Sequence, residues 1–268
     1  AGKSTIVNGL AHQYLKSNKK VGILAVDPTS PFTGGALLGD RVRMHEFPNT
    51  NEVYFRSMAT RGARGGLSAA TDNAAVALAA FGYDIILIET VGVGQIEIDV
   101  IDACDVVVVI LVPESGDSIQ TMKAGLMEIG NIFVVNKADR PGSDKMVAEL
   151  RYGVRNWKRD IKGWDTPVIA TEATSGKNLD KLFEAISRYL EHAKNSGALL
   201  THRRQQVYKR VMAVLQNRFK KEFLDHFEND KGLDKIVESI MAGKSNPFLA
   251  GEELYEQFGK SSPMRGSA

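Results

Sequence analysis

Short apolar runs alternate along the first part of the chain with stretches in which apolar positions return every third or fourth residue. Val21 to Val26, Ile85 to Glu89, Val106 to Val112, Ile132 to Val135 and Pro167 to Ala170 read as buried strands, and Val53 to Ser57 as a shorter one. Between them, Ile6, Val7, Leu10 and Leu15 suit a helix from Thr5 to Leu15, broken by Ser17-Asn18-Lys19-Lys20. An alanine-rich helix is expected from about Ala69 to Phe81, and a further one carrying Met122, Leu126 and Ile129. Buried strands that alternate with helices predict an α/β fold, a mainly parallel sheet with helices on both faces. Such sheets place their sites at the carboxyl ends of the strands.

Beyond Asn178 the pattern is helical throughout. Leu182, Ile186 and Leu190 mark one amphipathic helix, and Val207, Val211, Leu215, Phe219, Phe223 and Phe227 repeat every fourth residue through a longer one. A stripe of that length needs a partner, either its own domain or a second copy. Asn246-Pro247 introduces a last helix with Leu249, Leu254 and Phe258, so that Gly232 to Phe258 resembles a helical hairpin. The expected division is 1–195 as the α/β domain, 196–260 as a helical extension, and 261–268 as a flexible tail.

Composition narrows the function classes. With 34 Lys and Arg against 32 Asp and Glu, the net charge of +2 gives no reason to expect nucleic acid or an anionic membrane surface. The apolar run Val106 to Pro113 is far short of a membrane span. Cys104 is the only cysteine, which rules out an internal disulfide and fits a reducing compartment.

The chemistry is carried by motifs at strand ends. Ala1-Gly2-Lys3-Ser4-Thr5 reads as the back half of a phosphate-binding loop, G-x-x-x-x-G-K-[ST], opening directly into a helix. In that motif backbone N–H groups wrap the phosphates, the lysine reaches the β- and γ-phosphates, and a hydroxyl ligates magnesium. Gly2, Lys3 and Ser4 would fill those roles, with Thr5 beside them at the helix start. The front half of the motif and its strand are expected upstream. Asp27, at the end of its strand, either approaches magnesium or caps a turn before Pro28. The polar, glycine-rich stretch from Thr29 to Met44, which includes Asp40-Arg41, has the character of a nucleotide-sensing loop. In Thr60 to Gly66, Arg61 or Arg64 is either an arginine finger or part of a solvated basic loop. Glu89 ends an apolar strand in the manner of a Walker B acid, where it would hold a magnesium-bound water or orient the attacking one. In the Val91-Gly92-Val93-Gly94-Gln95 segment that follows, Gln95 either positions that water or hydrogen-bonds within the loop.

Asn136-Lys137-Ala138-Asp139 at the end of another strand reads guanine. Its aspartate accepts from both N1–H and the exocyclic amine, a donor pair adenine lacks. Lys137 can pack along the ring, and Asn136 can tie this loop to the phosphate loop. Glu172, Ala173 and Thr174 follow the last strand, where backbone amides could reach the guanine O6; the Glu172 side chain cannot donate to it.

With these pieces in order, the chain resembles the MeaB or methylmalonic aciduria type A family of P-loop GTPases. The resemblance rests on Ala1-Gly2-Lys3-Ser4-Thr5, Val26-Asp27-Pro28-Thr29-Ser30, Gly34 to Arg41, Glu89-Thr90-Val91-Gly92-Val93-Gly94-Gln95 and Asn136-Lys137-Ala138-Asp139. It implies a magnesium-dependent GTPase, cycling between GTP and GDP, that serves as chaperone to an adenosylcobalamin-dependent acyl-CoA mutase such as methylmalonyl-CoA mutase. The chaperone would gate cofactor loading and protect the mutase. The resemblance further implies a homodimer through the helical arm and switch regions at Asp27 to Asp40, Glu89 to Gln95 and Pro113 to Gly125. Lys3, Glu89 and Gln95 are the candidates for catalysis, and Ser4, Asp27, Asp40 and Glu89 those for the magnesium site. The implied compartment is a bacterial cytoplasm or a mitochondrial matrix.

Two other enzyme classes share some of these parts. A nickel-insertion maturation GTPase should carry a Cys/His cluster, whereas His12, His45, His192, His202 and His226 are scattered. A small-molecule kinase should carry an acceptor pocket and a base, and the sequence marks neither. A purely structural dimer module would leave the nucleotide motifs unexplained.

Overall fold

Two sets of three parallel strands share one apolar face. The computed structural model describes residues 2–27, 47, 51–59, 66–90, 103–115, 126–156, 163–228 and 232–261. Strand β1 (Val21–Asp27) lies between β2 (Val53–Ala59) and β3 (Ile85–Thr90), with Val21 opposite both Val53 and Ile85. Strand β5 (Ile132–Asn136) lies between β4 (Val108–Leu111) and β6 (Val168–Thr171), with Asn136 opposite Thr171. The chain divides into two compact units, Ala1–Arg203 and Arg204–Ala268.

Period-two alternation in the strands makes the layers of the first unit. On one face, Ile23 and Ala25 of β1, Ile85 and Leu87 of β3, Val108 and Ile110 of β4, and Ile132 and Val134 of β5 point into a single core. Helix α1 (Lys3–Lys16) supplies Ile6, Val7, Leu10 and Tyr14 to that core. On the other face, Gly22 approaches Leu78 of α2 (Gly66–Ala80) so closely that a Cβ would lie 2.7 Å from its Cδ1. The short helix α3 (Leu126–Ile129) and helix α4 (Ser143–Asn156) cover Val109, Leu111, Phe133 and Val135 with Met127, Met146, Val147 and Leu150. Leu182 and Ile186 of α5 (Leu179–Asn195) complete the shared face beside α1. Helices therefore lie on both faces of parallel strands, as the alternation of patterns predicts.

Several elements depart from the sequence reading. Strand β4 is shorter than Val106 to Val112, because Val107 donates its amide to Asn131 Oδ1 and accepts the Asn131 amide at its carbonyl. Helix α6 (Ala198–Glu228) starts nine residues before Val207, just after Gly197 turns the chain at φ 76°. Helix α4 follows the turn at Pro141-Gly142 and has no counterpart among the predicted elements.

In the second unit, Phe227 of α6 packs with Leu254 and Phe258 of α8 (Pro247–Ser261), joined by Phe223 and by Leu233 and Ile236 of α7 (Gly232–Met241). Asn246 Oδ1 accepts the amides of Phe248 and Leu249 and so starts α8, with Pro247 at its first position. The two halves of the predicted α6 stripe differ. Phe223 and Phe227 are covered, while Val207, Val211 and Leu215 are each more than half exposed. Among the described residues, no helix is long and apolar enough to cross a membrane.

Candidate functional site

Helix α1 begins at the carboxyl ends of the strands, and its first turn brings the phosphate-motif residues to β3. Gly2 precedes it in the left-handed region at φ 73°, a conformation that favours glycine. A Cβ there would also collide with the Asn136 side-chain amide, so conformation and space both exclude a larger residue. No acidic side chain occupies the first turn of α1, which leaves its amides and helix dipole to attract an anion. Lys3 is partly exposed, and Thr5 faces solvent. The Ser4 hydroxyl donates to Glu89 Oε1, in a side chain only 4% exposed at the end of β3. Donating its proton leaves the Ser4 oxygen with lone pairs directed elsewhere. Together with a carboxylate, that makes a donor set of hard oxygens that fits magnesium.

At the other end of the site, β5 and β6 hold two loops together. Register places Asn136 opposite Thr171, and Asn136 Oδ1 accepts from the Thr171 hydroxyl at 3.1 Å and from the Ala173 amide at 3.0 Å. Asn136 and Thr171 are both buried. Lys137 sits at φ 59°, a left-handed conformation uncommon for its type, and the loop around it is pinned twice. The Ala138 amide donates to the Thr171 carbonyl, and the Ser143 hydroxyl donates to the Ala138 carbonyl at 2.9 Å. Asp139 is consequently presented at the surface on a fixed backbone.

The Glu172 carboxylate accepts from Lys177 Nζ at 2.6 Å and from the Ser175 hydroxyl. The hydrogen bond from Lys177 holds its carboxyl below the ordinary range, so Glu172 stays an acceptor. In return, Glu172 foremost, with a smaller effect from Asp139, pushes the Lys177 ammonium upward. The Glu172 amide donates to the Lys177 carbonyl and the Ala173 amide to Asn136; Thr174 is exposed on the same turn.

The structure thus brings Ser4 to Glu89, and Asn136 to Gly2, Thr171 and Ala173. Asp27 ends β1, though its side chain lies outside the described residues, as do Asp40, Gln95, Arg61 and Arg64. Three supporting residues carry no motif of their own. Thr171 is identified only by its register opposite Asn136; Lys177 by its pairing with Glu172; and Asn178 by its left-handed backbone and its side-chain bond to the Ala170 carbonyl at 2.8 Å. Arg140, directly after the guanine-type motif, forms an ion pair with Glu114 beyond β4.

Comparison with known proteins places the chain in a family. The family model described as methylmalonyl Co-A mutase-associated GTPase MeaB matches residues 1–228. The chain belongs to the MeaB family. A Pyrococcus horikoshii protein, provisionally named a GTPase, is 42% identical over 264 residues, covering 96% of this chain and 81% of its own. The mouse mitochondrial methylmalonic aciduria type A homolog is 31% identical over 261 residues, covering 96% of this chain and 63% of that protein. The crystal structure of an LAO/AO transport system kinase superposes with a TM-score of 0.69 over 96% of this chain and 78% of that one. At 21% identity it speaks for the fold alone. A MeaB-family chain with this fold is a P-loop GTPase tied to methylmalonyl-CoA mutase.

Proposed function

We propose that this MeaB-family GTPase binds GTP and GDP with magnesium, hydrolyses GTP, and uses the cycle to time adenosylcobalamin loading and protection of an acyl-CoA mutase. The observation that carries the reading is the match of the family model across residues 1–228, which contain both Gly2 to Thr5 and Asn136 to Asp139. In this reading the first-turn amides of α1 and the Lys3 ammonium hold the β- and γ-phosphates. Asp139 accepts from guanine N1–H and the exocyclic amine, Lys137 lies along the ring, and Asn136 braces both loops. A guanine O6 would compete with Asn136 for the Ala173 amide or take that of Thr174. Ser4, with Glu89 behind it, would hold magnesium, and Asp27 and Asp40 are the further acidic candidates. The ion would supply charge neutralisation at the phosphates. Glu89, buried and acceptor-only when ionised, fixes the Ser4 hydroxyl and orients water near the γ-phosphate; Gln95 is the second candidate for that water.

The exposed half of the α6 stripe, Val207, Val211 and Leu215, supports a homodimer through the helical arm. The compartment we assign is the cytoplasm, or the mitochondrial matrix in a eukaryote. The proposal is tested by GTP turnover of the purified full chain with and without methylmalonyl-CoA mutase and adenosylcobalamin. Stimulated turnover, with complex formation that follows nucleotide state, is expected. Turnover indifferent to the mutase would contradict the chaperone role.

A further inference from the structure

The loop that follows β6 is closed on itself by one lysine. Glu172 and Lys177 form an isolated antiparallel bridge, in which each amide donates to the other's carbonyl at 3.2 Å. Their side chains repeat the connection, with Lys177 Nζ 2.6 Å from Glu172 Oε1. Ser175 adds a hydroxyl 3.1 Å from the Glu172 carbonyl and 3.4 Å from Oε2. Inside this closure lie Ala173 and Thr174, whose amides the proposed base site offers to guanine O6. Asn136 takes the Ala173 amide, and among the described residues no carbonyl takes that of Thr174.

A carboxylate in such a loop creates a conflict of charge. The hydrogen bond from Lys177 keeps Glu172 ionised, and an ionised carboxyl only accepts; guanine O6 also only accepts. Beside those amides an unneutralised Glu172 would repel a 6-oxo purine and attract a 6-amino one, which donates at that position. Lys177 offsets that charge. Its own side chain is 62% exposed and that of Glu172 only 20%, so the lysine caps from solvent a carboxylate that is mostly covered. Asp139, the residue assigned to the other edge of the base, acts on the same ammonium more weakly than Glu172.

We propose that Lys177 is a specificity-determining residue of the base site: by pairing with Glu172 it lets a loop that carries a carboxylate receive the 6-oxo group of guanine. The proposal rests on the guanine reading of Asn136 to Asp139. Lys177 acts through Glu172 and needs no contact with the nucleotide, which makes it a positioning residue. A pair that only braced the loop would change stability and leave the choice of base alone.

The test compares binding of GDP and of 2,6-diaminopurine riboside diphosphate, by calorimetry, to the full chain and to Lys177→Met. The two bases share the 2-amino group and differ at position 6 and in the N1 proton. Asp139 is the same in both proteins, so a change in the ratio of affinities reports position 6. Lys177→Met should weaken GDP binding by about threefold to fivefold and narrow the preference for GDP by at least as much. The loss should shrink in about 1 M salt, where exposed charges are screened. Lys177→Arg keeps the charge and should recover the preference. A double variant, Glu172→Gln with Lys177→Met, removes both charges and should regain most of the lost GDP affinity. An unchanged ratio in Lys177→Met would overturn the inference, as would a loss shared equally by both nucleotides or a double variant no better than the single one. A parent chain that does not prefer GDP would instead overturn the reading of the base site, and this inference with it.

Discussion

At the proposed base end, Asn136, Thr171, Ala173, Ala138 and Ser143 are joined by hydrogen bonds that need no ligand; at the proposed phosphate end, the Ser4 hydroxyl bonds Glu89 and Gly2 seats against Asn136. The base end is assembled from two strand ends already in register. The phosphate end is a helix start with no acidic residue of its own in the first turn. Changes at the first end should therefore act on folding and on base choice, and changes at the second on affinity and turnover with folding intact.

The largest effect should separate the two ends most sharply. Lys3→Ala is expected to weaken GTP binding by about 100-fold or more, since in the proposed site it removes the charge that would face the phosphates. It should shift the urea midpoint little, because Lys3 is partly exposed. Titration with a fluorescent GTP analogue, beside denaturation of the same sample, reads both. Glu89→Ala should slow hydrolysis by about 100-fold while binding falls much less. Equal loss of the two would make Glu89 structural. Asn136→Ala has the opposite character: it strands the buried Thr171 hydroxyl and the Ala173 amide and should cost about 2–4 kcal/mol of stability without nucleotide. A variant as stable as the parent would mean that the base end is not internally braced.

The smallest effect lies away from both ends. The backbone amide of Lys20, and then the Lys19 ammonium, hold the Asp84 carboxyl below its ordinary value of 3.8. A carboxyl lowered on folding adds stability above its unfolded pKa and loses it as pH falls through the folded value. Asp84→Asn should therefore be slightly less stable than the parent at neutral pH, with the gap closing below about pH 4. Urea denaturation across that range tests the sign.

Much of this was legible before any coordinates. Apolar runs ending in Glu89 and Asn136 announce both the strands and the acids and amides they deliver, because a buried parallel strand writes its pattern residue by residue. What requires two strands at once is not written that way. Thr171 reaches Asn136 through the register of β5 and β6, and Ser4 reaches Glu89 through the seating of α1 on β3. Helix α4 could have been found by the same rule, since Met146, Val147, Leu150 and Val154 fall at helical spacing among Asp144, Lys145, Glu149 and Arg151 directly after a Pro141-Gly142 turn. The α6 stripe misleads differently. Its even spacing suggests one covered face, yet Phe227 is buried and Val211 is 53% exposed, a difference made by α8 packing along one part only.

In the proposed site Asp139, on the backbone fixed by Asn136 and Thr171, chooses the base. Competition between GTP and xanthosine triphosphate for the full chain and for Asp139→Asn tests it most directly. The variant should exchange its preference for the xanthine nucleotide, because the new amide donates where the carboxylate accepted. A variant that still selects GTP would contradict it.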